Sequence, residues 1–172
     1  MRRTLASTFL APAFLALAIA GCAAGDASNG ASGGASAGAT SIVARAGDLV
    51  VTRAVAPAPI GDSPAALYFT VVNEGTAADT LTHVESDAAA EAMLHDQVRR
   101  GGSVMMEHVG PLPISPGDSL RLAPGGLHVM LTGLRQRIAA GDTLRATLHF
   151  SRAGAVEIRA PVVTYGELEG RA

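Results

Sequence analysis

Four side chains that can ligate a soft metal stand out in this sequence: His95, Met106, His128 and Met130. Ten residues separate His95 from Met106, twenty-one separate Met106 from His128, and one separates His128 from Met130. Two imidazoles and two thioethers form a neutral, soft donor set. Thioether sulfur favours Cu(I) over hard cations such as magnesium or calcium. Zinc sites are built from Cys, His and carboxylate instead. Only neutral imidazole is required for binding, so such a site tolerates mildly acidic solution until its histidines protonate. Four protein ligands leave no open position for a substrate. The chain carries no Ser/His/Asp spacing, phosphate-binding Gly loop or HExxH pair. The expectation is a binding protein and not an enzyme.

The elements that must position these residues read as strands. From Ile42 onward apolar residues recur with a period of two. Strands are expected at Leu49 to Val55, Ala66 to Asn73, Asp79 to Glu85, Glu91 to Val98, Val104 to Val109, Ser119 to Leu122, Leu127 to Leu131, Thr143 to Phe150 and Val156 to Val163. The stretch Ala88 to Met93 has enough helical propensity to open as a short helix. Pro and Gly punctuate the chain between these runs, at Pro111, Pro113, Pro116-Gly117 and Pro124-Gly125-Gly126 among others. About eight short strands with such punctuation imply an all-β sandwich or barrel. In Leu127-His128-Val129-Met130-Leu131 the aliphatics take the core face, so His128 and Met130 project together from the other. His95 and Met106 flank a hairpin turn at Gly101-Gly102 and could approach across it. In the late strand Leu144, Ala146, Leu148 and Phe150 face inward, which sends His149 toward water.

The chain of 172 residues allows one domain with a remainder. With no Trp and 3% aromatics, its core rests on Leu, Val and Ile. A net charge of −2 supplies no basic field for nucleic acid. The single cysteine, Cys22, excludes a disulfide and leaves residues 42–164 without a thiolate. That also excludes a blue-copper electron carrier, which needs one. Residues 1–21 read as a secretory signal: Met1-Arg2-Arg3, then an apolar run too short to span a bilayer. Leu17-Ala18-Ile19-Ala20-Gly21-Cys22 resembles the lipobox of bacterial lipoproteins, which implies lipid on Cys22 and anchorage to an envelope membrane, facing the periplasm or extracytoplasmic space. Residues 22–41, rich in Gly, Ala and Ser, read as a flexible linker. Residues 42–164 are the β domain, and 165–172 a frayed tail.

The pattern His-x10-Met-x21-His-x-Met, met by His95, Met106, His128 and Met130, resembles the periplasmic copper chaperone family written PCu(A)C. The run from Pro124 to Leu131 and the stretch Ile114-Ser115-Pro116-Gly117-Asp118 resemble it too, so the likeness spans about residues 48–163. The resemblance implies a cupredoxin-like Greek-key β-sandwich and Cu(I) bound near its surface. It also implies delivery toward the copper centres of cytochrome c oxidase, with a membrane oxidase subunit or another copper chaperone as partner. The chain departs from the family at Val104, where members often carry Met, and ends without a Met- and His-rich tail. Copper scavenging for tolerance, or a metal-free sandwich module, remain as alternative functions.

The other soft side chains have plainer readings. Met93 reads as core or loop filler, and Met105, opposite in face to Met106, as core. His83, His108 and His149 read as solvated or hydrogen-bonded, with His108 an outside candidate for the metal site.

Overall fold

The computed structural model describes residues 42–169. The expected signal, linker and lipidated Cys22 lie outside the described residues. Eleven strands, not eight, form the domain: β1 Ile42–Ala46, β2 Leu49–Pro57, β3 Ala65–Asn73, β4 Asp79–Glu85, β5 Ala89–Arg100, β6 Ser103–His108, β7 Leu112–Ile114, β8 Ser119–Leu122, β9 His128–Leu134, β10 Thr143–Phe150 and β11 Gly154–Val163. Their hydrogen-bonded order is β6-β5-β9-β3-β2-β11-β10-β4-β7, with β1 added on β2 and β8 on β3. All pairs are antiparallel except β11 with β2. The fold is the expected all-β, cupredoxin-like sandwich.

Alternation drives the packing. Along β3, Ala65, Leu67, Phe69 and Val71 are buried while their neighbours are half-exposed. They meet Leu81 of β4, Leu144 and Leu148 of β10 and Ile158 of β11 in a single apolar core. The strands missed in the sequence, β1 and β7, are short. β7 contains Pro113, which pairs with Thr80 at the end of the sheet; there a missing N–H is tolerated. No helix opens β5: Ala89 to Met93 are strand, because β9 supplies partners from Leu134 to Met130 and pairing overrides local propensity. The tail read as frayed begins instead with a helical turn, α1 Tyr165–Glu169, which buries Leu168 against Val55 and Val163.

Candidate metal centre

The site is built on β6, β5 and β9. The β5–β6 hairpin turns through Gly101 and Gly102, both with positive φ (56° and 85°). Two such residues suit the tight turn that follows strand twist. Before β9, Ala123-Pro124-Gly125-Gly126 makes a turn closed by the Gly126 N–H on the Ala123 carbonyl at 3.2 Å. Pro precedes Gly125, whose φ is 81°, as a type II turn requires. This turn aims the Gly126 carbonyl at His128, whose Nδ1 lies 2.9 Å away. That contact makes Nδ1–H the donor and leaves Nε2 with its lone pair free for a metal.

All four sequence-predicted ligands stand on one face of these three strands. Val129 and Leu131 are fully buried in the core, so His128 and Met130 project from the opposite side. His95 is the hub: it pairs with His128 on β9 and with His108 on β6. The His95 and His128 rings lie 5.9 Å apart between centroids, at 26° to each other. His108 sits edge-on to His95 at 5.7 Å. Met130 pairs with Met93, one rung to one side of the histidine row, and Met106 pairs with Gln97, one rung to the other. Each thioether is thus a diagonal neighbour of His95, a separation long side chains can bridge.

The two methionines are not equally placed. In a flat sheet their rungs would lie about 13 Å apart along the strands and about 10 Å apart across them. Strand β9 pairs with β5 only up to His95, and β6 only from His95 onward. The segment beyond His95 is therefore a two-stranded ribbon, and such ribbons twist most strongly. Met106 rides on it and is 58% exposed. His95 and His128 are buried on the three-stranded part, with Met130 half-buried beside them, while Met106 stands on the exposed ribbon.

Electrostatics favour an uncharged imidazole at the hub. Burial lowers the pKa of His95, and the neighbouring His128 and His108 lower it further, against a weaker opposing effect of the Met93 backbone. Nδ1 of His95 is buried and makes no well-aligned hydrogen bond; the ring's weak polar contact is to the Met93 backbone. Buried polar atoms are nearly always paired, so this nitrogen, with the His128 ring next to it, could serve as a metal ligand.

Two residues that the sequence offers only as an outside candidate and as filler also stand here. His108 and Met93 share the site face, directly opposite His95 and Met130. The signal was present: Met93-x-His95, Met106-x-His108 and His128-x-Met130 each put one sulfur and one imidazole on the same side of a strand. Met105 is not core, as expected, but 50% exposed; β6 is an edge strand with no layer over its other face. His149 stands on the outer face of β10, as expected, but its side chain is only 27% exposed. Its ring stacks on that of His83 at 4.1 Å, away from the site described here.

The model of the LpqE-like family, described as "Putative lipoprotein LpqE-like", matches residues 49–162. The chain belongs to the LpqE-like family. A relative from Leifsonia xyli subsp. xyli (strain CTCB07), "Putative lipoprotein Lxx21020", is 34% identical over 103 residues, 59% of this chain. The chain spans 62% of the length of that relative. Among solved structures, the copper-bound PCuAC domain from PmoF2 is similar at 27% identity and TM-score 0.61, over 71% of this chain and 97% of that domain. The Cu(I) form of DR1885 from Deinococcus radiodurans is similar at 26% identity and TM-score 0.55, over 76% of this chain and 84% of that one. Family and neighbours agree with the resemblance carried by the His-x10-Met-x21-His-x-Met pattern.

Proposed function

We propose that the protein is a copper chaperone that carries Cu(I) between His95, Met106, His128 and Met130. The observation that carries this reading is the placement of these four side chains on one face, around a buried hub histidine whose Nδ1 makes no well-aligned hydrogen bond. The copper in two of the similar solved domains supports it. Copper here is cargo. His95 and His128 supply nitrogen from the rigid sheet, Met130 supplies sulfur beside them, and Met106 closes the site from the exposed ribbon. A ligand on the outside edge is the first to be replaced by a ligand of a recipient, so release proceeds by exchange and needs no unfolding.

The lipobox-like sequence at Cys22 and the family's lipoprotein description support an envelope protein tethered to a membrane by residues 22–41, after loss of residues 1–21. From there it would hand copper to the copper centres of cytochrome c oxidase, directly or through another chaperone. Deletion of the gene tests this. Delivery predicts loss of oxidase activity in low copper, restored by the wild-type protein but not by the His128→Ala/Met130→Ala variant. Copper sensitivity with normal oxidase activity would instead make the protein a scavenger. Full rescue by the double variant would make it a metal-free module.

A further inference from the structure

The chain has five histidines. Three form the row at His95; the other two, His83 and His149, form a separate cluster on β4 and β10. They pair directly across these strands, and their rings stack at 4.1 Å, within 8° of parallel. Glu85, two residues along β4, shares their face. Its Oε1 lies 3.7 Å from Nε2 of His83 and its Oε2 lies 3.3 Å from Nε2 of His149. We propose that His83, Glu85 and His149 form a second metal site, for a borderline divalent transition ion such as Zn(II) or Cu(II).

Three observations carry the proposal. The first is tautomer control. The Thr82 hydroxyl donates to the His149 carbonyl at 2.9 Å, which uses its only proton. It lies 3.1 Å from Nδ1 of His83 and so must accept there. Nδ1 of His83 therefore carries the proton, and Nε2 of the neutral ring turns its lone pair toward Glu85. A polar partner on the far nitrogen is how metal-binding imidazoles are held. The second is an orphan. Nε2 of His149 is buried and makes no hydrogen bond, although the Glu85 carboxylate lies beside it. The stacked rings carry their Nε2 atoms side by side next to the carboxylate, and a turn of one imidazole about its χ2 brings both lone pairs onto a cation held by Glu85.

The third is spacing. Ligands held about 2.1 Å from a tetrahedral ion lie roughly 3.4 Å apart, and the two nitrogen–oxygen separations of 3.3 and 3.7 Å bracket that value. The candidate ligand atoms of all three residues lie within 4.8 Å of one another. The register of β4 against β10 shifts at this pair, leaving Thr82 as an extra residue. Bulges of this kind re-aim side chains, and this one delivers the hydroxyl that fixes His83. The donor set contains no sulfur. Imidazole with carboxylate suits Zn(II), Cu(II) or Ni(II), with Cu(II) tightest by the Irving–Williams order, and does not select Cu(I). The two clusters therefore sort metals by softness.

Zinc is the cleaner probe, since it undergoes no redox reaction. The full, untagged chain is titrated with Zn(II) while the ring signals of all five histidines are followed by NMR. The proposal expects the His83 and His149 signals to move together and saturate at one equivalent of their own. Glu85→Gln, at an exposed side chain where folding is not at stake, should weaken that event by about tenfold or more; His128→Ala should leave it unchanged. Immobile His83 and His149 signals at tenfold excess of zinc would overturn the proposal, as would undiminished binding in Glu85→Gln.

Discussion

Asp79 supplies a test of how the sheet that frames both clusters is held. Its side chain is buried at the start of β4 and accepts three backbone N–H bonds, from Thr80 at 2.7 Å, Arg152 at 2.9 Å and Ala153 at 2.8 Å. Two of these donors belong to the turn between β10 and β11, so one carboxylate clasps three strands. Burial alone would raise its pKa. The three N–H bonds and the Arg152 guanidinium more than offset this and hold it below the usual carboxylate range. Replacement by Ala leaves three donors without an acceptor. At about 1–3 kcal/mol for each donor that stays dry, and with water reaching some of them, the expected loss is about 3–4 kcal/mol. That is a large part of the stability of a small domain. Asp79→Asn keeps the Oδ1 acceptor for Thr80 and Arg152 but turns an amide toward Ala153, and should cost about half as much. A depressed folded pKa means that the unfolded state binds the proton more readily. The contribution is complete above the ordinary carboxylate pKa and is lost as pH falls through the folded value. Urea titrations at pH 7 and near pH 3 should therefore give a gap between wild type and Asp79→Ala that narrows in acid. A gap below about 1 kcal/mol, or one that is the same at both pH values, would refute this reasoning.

Three further outcomes follow from the site and its frame. Met106→Leu should weaken Cu(I) binding by roughly tenfold or more in competition with a chromogenic chelator, while Met105→Leu, on the opposite face, should leave it unchanged; equal effects would mean that the ribbon does not present Met106 to the hub. The imidazole of His95 should titrate below the ordinary value of 6.5 in the folded apoprotein, so its contribution to stability is complete above that pH and falls away as pH drops through the folded pKa. An NMR midpoint above that value would contradict the burial of the hub. Gly133 sits in β9 at φ 61°, and a Cβ there would lie 2.9 Å from that of Ala90, so Gly133→Ala should destabilise by about 1–2 kcal/mol or more in thermal or urea unfolding.

Much of this molecule was legible in the sequence where alternation was clean. The exact bounds of β4, β8 and β10 follow from it, and so does the side on which His128 and Met130 emerge. What stayed hidden is pairing between distant strands. No local pattern says that β5 lies between β6 and β9, yet that order sets His95 between two other imidazoles and puts Met106 a rung away from it. Alternation sends His149 to the outer side of β10, but it could not show that the ring stacks there on His83, a strand neighbour sixty-odd residues earlier. Met105 was misread for the opposite reason, since a core face is assigned by period but exists only where a second layer covers it. The period-two rule already puts His108 on the face of Met106, and it is the pairing of His108 with His95 that makes it a neighbour of the hub.

The central claim is that two sulfurs and two ring nitrogens bind one Cu(I). Anaerobic Cu(I) titration of the full chain, read by X-ray absorption at the copper edge, tests it most directly. The account predicts one tightly held equivalent with both sulfur and nitrogen in its first shell, the sulfur signal falling in Met106→Leu and in Met130→Leu. A copper ion surrounded by nitrogen and oxygen alone, with neither methionine substitution changing the spectrum, would contradict it.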